Sequence, residues 1–73
     1  MNTPDPVTFY VTAIKDSGEW VPLAGPYPTH ADALDAVGRA RRRAAKVDAR
    51  ACWYAYGTAR NRGAALVAVF GVI

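Results

Sequence analysis

The chain has 73 residues, 52% of them hydrophobic, and its nine lysines and arginines against six acidic residues give a net charge of +3. That length leaves room for one domain with a thin core, and the hydrophobic fraction excludes a disordered chain. A single cysteine, Cys52, and a single histidine, His30, exclude an internal disulfide framework and a familiar zinc site.

Residues 1–6, with two prolines and an aspartate, read as a short flexible lead-in. They hold neither a basic start nor an apolar segment, so no secretory signal is expected. From Val7 to Ile14, VTFYVTAI alternates Val7, Phe9, Val11 and Ala13 against Thr8, Tyr10 and Thr12, the pattern of a strand. Asp16, Ser17 and Gly18 supply turn chemistry, and Glu19 to Ala24 is expected to return as the second strand of a hairpin. Pro22 confines that strand to an edge or a bulge, and Gly25, Pro26, Tyr27 and Pro28 are expected to end it.

A helix is predicted from about His30 to about Val47, N-capped by the Thr29 hydroxyl through the amide of Asp32. Its apolar stripe is Ala33, Val37, Ala40, Ala44 and Val47, with Leu34 at the edge and Asp32, Asp35, Arg39, Arg42, Arg43 and Lys46 opposite. Arg41 lies on the flank of the stripe and needs a route to water or a partner. The aromatic run Ala51 to Gly57 reads as a third strand, Thr58 to Gly63 as a loop, and Ala64 to Val72 as a fourth strand, apolar on both faces. At ten residues, Ala64 to Ile73 is too short to span a membrane as a helix. The core is expected to rest on Phe9, Trp20, Leu23, Leu34, Trp53, Leu66 and Phe70.

These elements define one α+β domain over residues 1–73, of ββαββ order, with one helix packed on one face of an antiparallel sheet. One helix cannot cover both faces, so the apolar C-terminal strand points to a homodimer, with Leu66, Phe70, Val72, Tyr54 and Tyr56 as the candidate interface. Four cations, Arg39, Arg42, Arg43 and Lys46, project over an arc of roughly 100° on the helix. They suit a phosphate backbone, with Arg60 and Arg62 as further contacts. The competing reading is a solvated face: the acids lie in the first half of the helix and the cations in the second, which offsets the macrodipole, and Asp35 pairs with Arg39. Tyr10 with Tyr54 or Tyr56 on the face away from the helix, rimmed by Arg60 and Arg62, would form a stacking platform.

Catalysis has no support: Ser17 is the only serine and lies in a turn, no phosphate loop is present, and Cys52 reads as a small core residue within a strand. No cofactor and no metal are expected.

The segment GPYPTHADALDAV, Gly25 to Val37, resembles the strand-to-helix signature of the SPOR peptidoglycan-binding repeat, but the second half of that domain has no counterpart here. The chain as a whole resembles small uncharacterised proteins of tailed bacteriophages and prophages, on Ala24 to Pro26, Trp53 to Arg60 and Val69 to Val72. That resemblance implies a phage accessory protein in the cytoplasm of a bacterial host and assigns no residue roles. The first expectation is therefore a non-enzymatic protein-interaction module, dimeric and bound to a host or phage protein. The alternative is a sequence-tolerant nucleic-acid binder.

Overall fold

The computed structural model describes residues 6–73, so the lead-in expected over residues 1–6 lies outside them except for Pro6. The chain forms a small α+β domain, with strands β1 (Val7–Ile14) and β2 (Trp20–Tyr27), helix α1 (His30–Val47), a 3₁₀ turn (Ala49–Trp53) and strand β3 (Ala55–Arg62). The sheet is antiparallel in the order β2-β1-β3. The best alternating segment thus takes the central position, where both of its edges are hydrogen-bonded.

Side chains of β1 divide as their alternation requires. Val11 and Ala13, with Phe9 at the margin, pack under α1, while Thr8, Tyr10 and Thr12 face away from it. The helix presents Ala33, Ala36, Ala40 and Ala44, all buried, with Val37 half-buried beside them. Small side chains let the helix lie close to the sheet, which leaves no room between them for a side chain as large as Leu34. Of the residues expected to carry the core, Leu23 is buried and Phe9, Leu66 and Phe70 are partly so, but Trp20, Leu34 and Trp53 stand in solvent, as does Val47 of the predicted stripe. Tyr10, Val11, Ala24 and Tyr27 take their place.

Strand β2 continues three residues past its predicted end, through Gly25, Pro26 and Tyr27. Two register shifts against β1 absorb the prolines, an accommodation open to an edge strand. Gly25 has φ +134, and a Cβ there would lie 2.6 Å from Tyr10 Cδ1 and 2.9 Å from the Phe9 carbonyl, so only glycine fits. The helix bounds agree with expectation, and Thr29 Oγ1 accepts from the Asp32 amide at 3.1 Å.

Residues after α1 depart from the predicted strands. The Asp48 carboxylate accepts from the Arg50 amide at 2.9 Å and caps a 3₁₀ turn over the first half of the expected third strand. Strand β3 begins at Ala55 and takes in the predicted loop Thr58 to Arg62, pairing with β1 from Ile14↔Ala55 to Val7↔Arg62. As an edge strand it tolerates polar residues that a strand paired on both sides would not.

The expected fourth strand is an extended segment without a ladder. After Gly63 it crosses the open face, where the Leu66 amide donates to the Tyr10 hydroxyl at 2.9 Å. It then runs along the outer edge of β2: Val69 and Phe70 amides donate to the Pro22 and Leu23 carbonyls, and the Gly25 amide donates to Gly71. Pro22 and Pro26 remove two donors from that edge, so a continuous ladder cannot form. The fourth element of the ββαββ-like order is therefore a strap around β2. It covers Tyr10, which is fully buried on the face away from the helix.

Candidate anion-binding groove

The strap ends beside α1. Phe70 and Ile73 pack against the core from the helix side, and Tyr27 holds Ile73 at both backbone atoms, donating its hydroxyl to the carbonyl at 3.1 Å and accepting from the amide at 3.2 Å. Between strap and helix lies a groove of about 470 Å³ lined by Arg39, Arg42, Arg43, Lys46, Val72 and Ile73. All four cations proposed from the sequence meet there because positions i, i+3, i+4 and i+7 share one helical face.

Two of the four are anchored. Arg39 pairs with Asp35 at 3.1 Å and donates to the Ile73 carbonyl at 3.2 Å, and the Arg43 guanidinium lies 5.8 Å from the centre of the Phe70 ring. Arg42 and Lys46 have no carboxylate partner among the described residues. The four cations extend over about 10 Å of helix, and Val72 and Ile73 give them an apolar wall. Gly38 is exposed on the same side of the helix, where an added Cβ would meet only Arg42, 3.4 Å away.

Arg60 and Arg62 lie elsewhere. Their partners across the ladder are Phe9 and Val7, and the start of the helix meets β3 through His30 Nε2 and Thr58 Oγ1, 3.1 Å apart. His30 to Arg42 is about 18 Å along the helix, so these two arginines are separate from the groove. They also point to the helix side of the sheet, as does Tyr56, whereas Tyr10 is buried on the other. The stacking platform is therefore not assembled.

The candidate interface is largely occupied within the chain. The Tyr54 hydroxyl donates to Asp48, and Tyr56 donates to the Ala51 carbonyl at 2.7 Å while its ring lies 5.7 Å from the Arg41 guanidinium carbon. Arg41 thereby has an aromatic partner and, being exposed, the route to water expected from its place on the flank. The Leu66 amide is held by Tyr10 and Phe70 packs on the core, which leaves Val72 exposed, in the groove.

A second polar cluster joins the 3₁₀ turn to the β1–β2 turn through an ion pair between Arg50 and Asp16. The Arg50 hydrogen bond holds the Asp16 carboxyl below its usual range, and the Tyr54 hydroxyl does the same for Asp48. In return the Asp48 hydrogen bond, with burial second, pushes the Tyr54 phenol up to about 12. Cys52 is exposed on the turn and not within a strand. Among the described residues no three of His, Cys, Asp and Glu gather to hold a metal ion, and no helix is long and apolar enough to cross a membrane. No family model matches the chain, and neither does any curated protein or solved structure.

Proposed function

We propose that the chain is a non-enzymatic binding domain whose groove between α1 and the strap takes the phosphate backbone of a nucleic acid. The observation that carries this reading is the convergence of four cations on one groove, with Asp35 the one acidic side chain paired with them among the described residues. Phosphate contacts of this kind position a domain without reading sequence, which suits a site with no base-reading platform. The accessory role in the bacterial cytoplasm that the sequence resemblance implies is part of this proposal.

With four phosphate contacts, log K is expected to fall against log salt with a slope of about −2.8 to −3.6. Raising salt from about 50 mM to about 200 mM then weakens oligonucleotide binding roughly 50- to 150-fold. Arg42 and Lys46 are exposed and have no carboxylate partner among the described residues, so Arg42→Ala with Lys46→Ala is expected to keep the fold and halve the slope. Absence of binding at low salt, or an unchanged slope in the double variant, contradicts the proposal.

A protein partner is the second reading, favoured by two exposed tryptophans, Trp20 and Trp53, rather than by the interface residues chosen from the sequence.

A further inference from the structure

Four large apolar side chains stand in solvent where β1 ends, β2 begins and α1 gives way to the 3₁₀ turn. Ile14 and Trp20 are register partners on the open face, 49% and 47% exposed. Trp53 on the turn is 75% exposed, and Val47, the last residue of α1, is 73% exposed. The Arg50–Asp16 ion pair binds the turn to the hairpin, and Ala55, two residues after Trp53, pairs directly with Ile14, so these groups share one end of the domain.

Charge at that end is answered within the chain. Lys15 pairs with Glu19 at 3.4 Å, Arg50 with Asp16, and Asp48 accepts from Tyr54. With Lys46, which precedes Val47, the end holds three cations and three carboxylates, net 0, while the remaining six cations and three carboxylates give +3. A polyanion gains nothing here. Two copies meeting through this end oppose nearly neutral rims and apolar centres, whereas contact through the cationic helix faces would be repulsive.

We propose that this end is the contact surface for a second copy of the chain, in a symmetric dimer centred on Trp20 and Trp53. Tryptophan is the side chain most often found carrying an interface, because one residue buries a large rigid area. The exposed parts of the four side chains offer on the order of 400–500 Å² per copy. The pair then buries about 800–1,000 Å², below the roughly 1,200–2,000 Å² of stable complexes, so the dimer is weak and forms with rising concentration.

Sedimentation velocity from about 10 µM to about 1 mM, the range such an interface populates, tests this with the full chain. The wild type is expected to rise towards twice the monomer mass. Trp20→Ser and Trp53→Ser, both at exposed positions, are each expected to weaken association about tenfold or more. Arg42→Ala is expected to leave it unchanged. In the wild type, tryptophan emission should shift to the blue over the same range, a readout that needs no variant. A strict monomer at about 1 mM assigns the end to a different chain and overturns the proposal. So does a dimer that persists in both serine variants, or emission that does not move.

Discussion

Replacing Gly25 with alanine is expected to be among the most damaging single-methyl changes in the domain. The backbone there has φ +134, a conformation that costs an L-residue about 1–3 kcal/mol. The new Cβ would also lie 2.6 Å from the ring of fully buried Tyr10 and 2.9 Å from the Phe9 carbonyl. Neither neighbour yields easily: Tyr10 is held by the Leu66 amide, and Phe9 belongs to the central strand. Overpacking of this kind costs a further 1–3 kcal/mol or so, giving a total of about 2–6 kcal/mol. A domain of this length has about 4–11 kcal/mol of stability, so Gly25→Ala removes a large share of it. Thermal unfolding followed by circular dichroism should show Tm lowered by roughly 8 °C at the least. Gly18→Ala is the control, because Gly18 has φ +92 but open space around it, and only the backbone cost of about 1 kcal/mol applies. A Gly25→Ala variant no less stable than Gly18→Ala would refute both the Tyr10 packing and the course of the strap over it.

Gly38→Ala should have the opposite sign, raising stability by about 1 kcal/mol in denaturant titration, because Gly38 is an exposed mid-helix residue whose new methyl meets only the mobile end of Arg42. The phenol of Tyr54 should ionise well after the ordinary tyrosine range when absorbance at alkaline pH is followed, and the late step should vanish in Tyr54→Phe. Its folded pKa of about 12 exceeds the unfolded value of 10.0, so its contribution to stability is present below pH 10 and is lost as pH rises towards 12. Asp16 and Asp48 act in the other direction: their lowered carboxyls favour the fold above their unfolded value of 3.8, and that contribution disappears on acidification, which Asp16→Asn should blunt.

The helix was legible in the sequence because its signals agree: Thr29 as cap, prolines before it, alanines at the right period and a charge gradient along it. The first strand was legible from alternation alone. The C-terminal half was not, for identifiable reasons. Ala51 to Tyr54 has strand composition, but Asp48 and Tyr54 close a local hydrogen-bonded turn that competes with it. Thr58 to Arg62 has loop composition and becomes a strand only because β1 offers a free edge. The apolar Ala64 to Val72 segment cannot signal that its partner edge contains Pro22 and Pro26. Core prediction by size failed at Leu34 because an alanine-faced helix lies close to the sheet, at Trp20 because it stands on the sheet face away from the helix, and at Trp53 because it sits on the 3₁₀ turn outside the sheet. The spacing of the four helical cations already placed them on one face of α1. Their groove was not legible, since its other wall, Val72 and Ile73, depends on Tyr27 and Arg39 holding the end of the strap.

Amide chemical shifts recorded during titration of the full chain with a short oligonucleotide at low salt test the central claim most directly. Perturbations are expected to concentrate at Arg39, Arg42, Arg43 and Lys46 together with Val72 and Ile73, and to fade as salt is raised. Perturbations confined to Arg60 and Arg62, or to the helix with Val72 and Ile73 unmoved, would contradict the groove.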